Sequence, residues 1–242
     1  MAWYKEWFGT RYYKLLYGHR DAEEARRWVN TILERTGLRP GDSLLDMGCG
    51  RGRHAACFAA QGLKVTGIDL SAESIAEARG NCPQARFEVH DMREPFAQGT
   101  FDAVVCLFTS LGYSPDHTDD LRALRAAADA LRPGGVLVLD LLNGAIIRHE
   151  LVEEDRQMEG GVRFTLQRRI EGDTIIKDIH VDDQGCSHRF TERVHAWTAQ
   201  EVADLVRRAG LELEAITDGP EPAPFDPARS ERIVAWAHKP VQ

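Results

Sequence analysis

Residues 44–54 read Leu-Leu-Asp-Met-Gly-Cys-Gly-Arg-Gly-Arg-His. An apolar strand runs into alternating glycines, Gly48, Gly50 and Gly52, and a helical pattern follows at once. Glycine has no Cβ, so the chain can turn sharply there and let a ligand lie against bare backbone. The first turn of the following helix offers unpaired N–H groups to whatever fills that turn. A second strand, Lys64-Val65-Thr66-Gly67-Ile68-Asp69, ends in an acid about 20 residues beyond the glycines, where a carboxylate can accept both hydroxyls of a ribose. Together these features predict a nucleoside-containing ligand at the start of a doubly wound sheet.

The glycine spacing narrows the ligand. A dinucleotide turn is spaced G-x-G-x-x-G and aims a helix dipole at a pyrophosphate. Here the spacing is G-x-G-x-G with Asp46 at the strand end. That acid is a poor neighbour for a pyrophosphate and a good one for an ammonium group. The Lys-Ser/Thr pair of a phosphate-binding loop is absent after Gly52. The pattern therefore points to a ligand with an amino-acid end and an adenosine end.

Asp46-Met-Gly-Cys-Gly-Arg-Gly resembles the first motif of class I S-adenosylmethionine-dependent methyltransferases, and Val65-Thr66-Gly67-Ile68-Asp69-Leu70-Ser71 is similar to their second. His90-Asp91-Met92, Phe101-Asp102-Ala103-Val104-Val105 and Leu131-Arg132-Pro133-Gly134-Gly135 follow in the family's order. The resemblance implies S-adenosyl-L-methionine as cofactor. Asp46, Gly48, Cys49, Gly50 and Gly52 would hold its amino-acid end and Asp69 its ribose. Asp91 with Met92 would meet the adenine, and Leu70 and Leu107 would complete the pocket at two strand ends. The implied fold is α/β: a doubly wound, mostly parallel, seven-stranded Rossmann-like sheet with an antiparallel β cap inserted.

The 242 residues suffice for one large α/β domain with an insertion, and an apolar share of 43% supplies a core. The net charge of −8 disfavours a nucleic-acid partner, and the basic pairs Arg51/Arg53 and Arg168/Arg169 read as solvated faces. The cysteines are Cys49, Cys57, Cys82, Cys106 and Cys186, an odd number without C-x-x-C spacing. This argues against disulfides and a metal site and fits a reducing, cytoplasmic setting. No apolar run is long enough to span a membrane; that from Val136 to Leu139 is stopped by Asp140.

Along the chain, residues 1–18 are rich in aromatics, and Asp21 to Thr36 reads as an amphipathic helix. Residues 1–40 form a helical cap segment in this reading. Strands are expected at 43–47, 64–68, 85–89, 102–107 and 135–140, alternating with helices at 52–61, 72–80 and 116–131, the last opening at Ser114-Pro115-Asp116. The rhythm breaks after Asn143. A short helix is expected within 146–155, then a meander of three β runs. Thr198-Ala199-Gln200-Glu201 has the form of a capping box. A proline-stiffened loop spans 219–227 between two closing strands. The domain reading is a Rossmann-like unit at 41–145 and 198–242, with the β insertion at 146–197. That insertion and the N-terminal Tyr-Tyr-Lys-Leu-Leu-Tyr run resemble amino-sugar N-methyltransferases. Exposed strand edges in the insertion would also suit a homodimer contact.

Ligands of such sheets lie beyond the strand ends, so the methyl group should project toward Phe108 to Tyr113, roofed by the cap and the N-terminal aromatics. Methyl transfer is an in-line displacement and needs its nucleophile aligned with the breaking bond. Tyr12, Tyr13, Tyr17, Phe108 and Tyr113 can wall a sulfonium by cation–π attraction. His117, His180, His188 and His195 are the histidines considered as bases, with Tyr12, Tyr17, Tyr113 and His117 the leading candidates for a catalytic role. The acceptor is expected to be a small polar metabolite methylated on N or O. The rivals are a protein or RNA methyltransferase, which would need an open charged groove, and a non-catalytic cofactor-binding protein.

Overall fold

A computed structural model describes residues 3–18, 22–114, 116–219 and 223–241. Asp21, Pro115 and residues 220–222, which the sequence assigns to a helix start, a helix-opening turn and a stiff loop, lie outside the described residues. The chain opens with α1 (Trp3–Trp7), α2 (Arg11–Leu16) and α3 (Ala22–Thr36). Then come β1 (Ser43–Met47), α4 (Arg53–Ala60), β2 (Lys64–Asp69), α5 (Ala72–Asn81), β3 (Arg86–Val89), β4 (Phe101–Cys106), α6 (Thr118–Ala130) and β5 (Leu131–Leu142). Next are α7 (Gly144–Glu150), β6 (Glu154–Glu159), β7 (Val162–Glu171), β8 (Thr174–Asp183) and β9 (Cys186–His195). The chain closes with α8 (Ala199–Arg208), β10 (Glu212–Asp218), β11 (Ala223–Pro224) and β12 (Arg232–His238).

Strands buried on both faces read as apolar runs, and β1, β4 and β5 do so because helices cover both sides of the sheet. One layer packs α6 and α8 through Leu121, Leu124, Val202 and Val206. The other packs α3 and α4 through Trp28, Ile32 and Phe58. The sheet runs β11-β10-β12-β5-β4-β1-β2-β3. Strands β5, β4, β1, β2 and β3 are parallel to one another, while β12 pairs antiparallel with β5 and β10. The order reverses between β1 and β4, the switch point where such sheets bind ligands. The Thr198 capping box forms as expected, with Glu201 closing it.

The expectation of seven strands is corrected to eight among the described residues. The extra strand is β11, inside the proline-rich loop, where Ala223 and Pro224 pair with Asp218 and Thr217 of β10. Proline is tolerated there because β11 lies at the edge of the sheet. β5 also begins earlier than expected. Pro133-Gly134-Gly135 bends as a turn, with Gly134 at φ +75°, yet Gly134 N–H donates to Lys239 O and Lys239 N–H donates to Gly135 O, so pairing with the chain's tail carries the strand through the bend.

The insertion forms its own antiparallel sheet, β6-β7-β8-β9. It has one more strand than the three runs expected: α7 ends at Glu150, and β6 occupies residues assigned to a helix and its exit. One face of this sheet carries Val162, Phe164, Leu166, Ile179 and Val181. These pack against Trp7, Tyr12 and Leu16 of α1 and α2 as a core separate from those of the main sheet. The opposite face buries Ile176 and is otherwise laced with pairs such as Arg169–Asp178. Among the described residues no helix is long and apolar enough to cross a membrane.

Candidate functional site

Two adjoining cavities open at the carboxyl ends of β1, β2 and β4. Both are lined by Gly48, Asp69, Ser110, Phe8 and Tyr113. One extends along Leu70, Asp91, Met92 and Arg93; the other runs over Cys49, Gly50, Arg53, His54, Leu107 and Phe108. Residues that the sequence marked by motif therefore come together in one cleft.

The glycine turn is held by Asp69. Its Oδ2 accepts the Gly50 N–H at 2.9 Å and its Oδ1 the Ser71 N–H at 2.8 Å. Each oxygen keeps a further lone pair. Ser71, not Asp69, caps α5, accepting the Ser74 N–H. Gly48 has φ +73°, and a Cβ there would fall 2.7 Å from Ser110 Oγ. Gly52 does not line either cavity. It sits at the N-terminus of α4 in the left-handed region, and a Cβ on it would press on Phe87 and Ala78. Its role is close packing of α4 on its neighbours.

Asp46 lies beneath the turn, 2% exposed, and its Oδ2 has no hydrogen-bond partner among the described residues. Burial, reinforced by the nearby Asp69 carboxylate, pushes its pKa from the usual 3.8 to about 7. A buried carboxylate with an unused oxygen is suited to a cationic ligand. The folded protein holds this proton where the unfolded chain has released it. Stability contributed by Asp46 is thus full below pH 3.8 and lost as pH rises toward about 7. Asp46→Asn is therefore expected to raise stability above that window by about 1–3 kcal/mol and to leave it unchanged at the acid end. Thermal unfolding of parent and variant across the window checks this; parallel curves would show that Asp46 does not titrate there.

At the other end of the cleft, Asp91 is gripped by Arg93, whose Nη2 donates to Oδ2 at 2.6 Å and Nε to Oδ1 at 2.9 Å. Arg93 also reaches Asp119 at 2.6 Å. The far wall is the segment after β4. There Phe108 and Thr109 adopt φ of 59° and 60°, a left-handed conformation that costs a side-chain-bearing residue about 1–3 kcal/mol. Asp140, with 0% exposure, secures both. Its Oδ2 accepts the Phe108 N–H at 2.8 Å and its backbone O the Thr109 N–H at 3.0 Å.

The catalytic candidates separate in space. Tyr113 lines both cavities, but its hydroxyl donates to Thr109 O at 2.6 Å, and burial pushes its pKa well up. It keeps its proton and acts as a wall, stacked with Tyr4 at 5.7 Å. Tyr17 lines the second cavity; its hydroxyl donates to Glu192 and accepts from Lys177 Nζ at 2.6 Å. Tyr12 is outside the cleft, bonded to Asp183 at 3.0 Å in the core under the insertion. His117 is also outside the lining, but its partner Asp120, at 3.0 Å, is within it. The His117 ring lies 4.1 Å from that of His195, whose pKa is lowered by burial and by this neighbour. His188 sits exposed against Tyr12, and His180 lies on the outer face of the insertion.

Sequence reasoning assigned the roof jointly to the insertion and the N-terminal aromatics. Among the described residues the lining comes from Tyr4, Phe8, Tyr13 and Tyr17 and from no residue of 146–197. The insertion backs these helices instead of facing the cleft. Arg93 and Ser110 carried no signal in the sequence. Tyr4 and Phe8 did, through the density of aromatics around them.

Residues 44–135 match the model of a family described as a methyltransferase domain. The dTDP-3-amino-3,4,6-trideoxy-alpha-D-glucopyranose N,N-dimethyltransferase of Streptomyces venezuelae is 29% identical over 222 residues, covering 86% of this chain and 92% of that one. Among solved structures, a S-adenosylmethionine-dependent methyltransferase from Clostridium acetobutylicum superposes with a TM-score of 0.80 at 19% identity, over 95% of this chain and 96% of that one, a likeness of fold. The S-adenosylmethionine-bound amino pentose methyltransferase of calicheamicin biosynthesis from Micromonospora echinaspora is 26% identical over 95% of this chain and 97% of that one, with a TM-score of 0.70. The motif-bearing stretch and the full-length architecture agree: residues 44–135 carry a methyltransferase domain, and most of the chain's length is similar to S-adenosylmethionine-dependent methyltransferases.

Proposed function

We propose that this enzyme methylates the amine of a small polar metabolite of the amino-sugar class. The observation that carries this reading is the likeness to an amino-sugar N,N-dimethyltransferase over 86% of this chain, far more than the cofactor-binding stretch alone. The cleft supports it. A protein or RNA acceptor would need an open charged groove, whereas Tyr4, Phe8, Tyr13 and Tyr17 of the N-terminal segment wall this cleft.

The residues fit S-adenosylmethionine. The unused oxygen of Asp46 suits its ammonium, the open space beside Gly50, where a Cβ would meet nothing within 4 Å, admits its backbone-hugging end, and the spare lone pairs of Asp69 suit its ribose hydroxyls. Asp91, Met92 and Leu70 bound the end that would take the adenine, and Cys49, Gly50 and Leu107 bound the other. When bound, the cofactor supplies an electrophilic methyl on a sulfonium. Asp46 and Asp69 would fix where that methyl stands, and Phe8, Tyr113 and Phe108 would exclude water around it. An amine acceptor held between these walls would bring its own lone pair, and its proton would leave to solvent, because the Tyr113 hydroxyl is committed to Thr109 O. Positive charge is dispersed, so aromatic walls suffice and no oxyanion hole is needed.

Incubating the purified enzyme with S-adenosylmethionine and matched panels of amino sugars, phenols and peptides tests the reading. Methyl gain confined to amines is expected, and methylation of phenols or peptides alone would overturn it. Asp69→Ala is expected to weaken S-adenosylhomocysteine binding by about 1–3 kcal/mol through loss of charge-assisted hydrogen bonds. Calorimetry checks this, and unchanged affinity would leave Asp69 only its tie to the turn.

A further inference from the structure

The wall opposite the glycine turn is held from a distant part of the chain. Arg232, the first residue of β12, forks onto the buried Asp140. Its Nη2 reaches Oδ2 at 2.9 Å and its Nε contacts Oδ1. The same Nη2 donates to Thr109 Oγ1 at 3.2 Å. The Arg232 guanidinium also lies 5.2 Å from the centre of the Phe108 ring, and that of Arg53 lies 4.7 Å from it. Asp140 in turn accepts the backbone N–H of both left-handed residues. Two adjacent residues without glycine's freedom do not stay in that region unless their surroundings impose it. Here the imposed conformation sets where Phe108 and Ser110 stand in the cleft, and Ser110 is the residue that closes on Gly48.

We infer that Arg232 is a positioning residue for cofactor binding. Through Asp140 it holds Phe108 and Thr109 in the left-handed conformation that shapes the cleft wall. The inference rests on the reading of this cleft as the S-adenosylmethionine site. It assigns a role to a residue that lines neither cavity and belongs to none of the family-like motifs. Arginine is needed because its fork serves both carboxylate oxygens and the threonine hydroxyl together, which a lysine ammonium cannot match.

The test measures S-adenosylhomocysteine binding by calorimetry together with thermal unfolding. Arg232→Lys keeps a cation opposite Asp140, so the fold is expected to persist while affinity falls by about 10- to 100-fold. Asparagine favours the left-handed region, so adding Thr109→Asn to Arg232→Lys is expected to restore most of that affinity. Parental affinity in a folded Arg232→Lys variant would overturn the proposal. So would an affinity loss that Thr109→Asn does not restore, because the arginine would then act through general packing. If Arg232→Lys does not fold, the neutral pair Asp140→Asn with Arg232→Met replaces it under the same criteria, and its failure to fold as well overturns a role confined to positioning. A parent protein that binds no S-adenosylhomocysteine would bring down the reading of the cleft itself, a result distinct from parental affinity in the variant.

Discussion

Gly48→Ala is expected to abolish measurable cofactor binding while leaving a folded protein. The residue has φ +73°, and the new Cβ would lie 2.7 Å from Ser110 Oγ, 2.9 Å from Ser110 Cβ and 3.1 Å from Met92 Cε. Left-handed backbone costs an alanine roughly 1–2 kcal/mol. Relief of the contacts must come from Ser110 and Met92, both part of the cleft lining. The turn, the wall and the far end of the cleft are all displaced by one methyl group. A loss of at least about 3 kcal/mol in S-adenosylhomocysteine affinity, more than about 100-fold, is expected. Calorimetry beside far-ultraviolet circular dichroism separates lost binding from lost fold, and parental affinity would show that the turn can relax without touching the cleft.

The largest effect on stability is expected from Gly144→Ala. This glycine opens α7, where the chain leaves the main sheet for the insertion. A Cβ on it would run into the backbone of Ala196, overlapping its carbonyl carbon and oxygen and lying 2.8 Å from its Cα. Neither strand of chain can retreat. Gly144 N–H donates to Trp197 O at 2.8 Å, Ala196 N–H to Asp173 O at 2.8 Å and His195 N–H to Gly112 O at 2.8 Å. A flexible side chain would swing away from the new methyl, whereas this backbone must break hydrogen bonds. The cost is at least about 3 kcal/mol, or a fall in unfolding temperature of roughly 6–12 °C. An unfolding midpoint within about a degree of the parent's, small beside that shift, would show the junction to be slack.

Local features were legible in the sequence and long-range ones were not. The parallel strands announced themselves because burial on both faces demands unbroken apolar runs, as at Ala103, Val104 and Val105 of β4. β6 did not, because Glu154-Asp-Arg-Gln-Met-Glu is an edge strand that is polar on both faces, and nothing in its composition separates it from a loop. β11 depends on pairing across a proline-rich stretch, which no local pattern encodes. In the cleft, Gly48, Asp69, Asp91 and Met92, and beneath it Asp46, could be located because each stands at or just beyond a strand end, where geometry and sequence spacing coincide. Phe108 could be placed in the wall for the same reason. Its left-handed backbone could not, because its cause lies far along the chain, in the Asp140 carboxylate on β5 and the Arg232 guanidinium on β12.

The shared core of the insertion and the first two helices bears on how this enzyme could be re-engineered. Trp7, Tyr12 and Leu16 belong with Phe164, Leu166 and Ile179, not with the main sheet. Trp7 Nε1 and the Tyr17 hydroxyl both donate to Glu192 of β9. Two stretches far apart in the chain therefore form one interchangeable part. A chimera that imports only the β insertion from a relative would set a foreign surface against those aromatics and misplace Tyr4, Phe8, Tyr13 and Tyr17 above the cleft. Transplanting acceptor preference requires both stretches to come from the same donor, with the segment around Tyr113 chosen to match the rings that rest upon it.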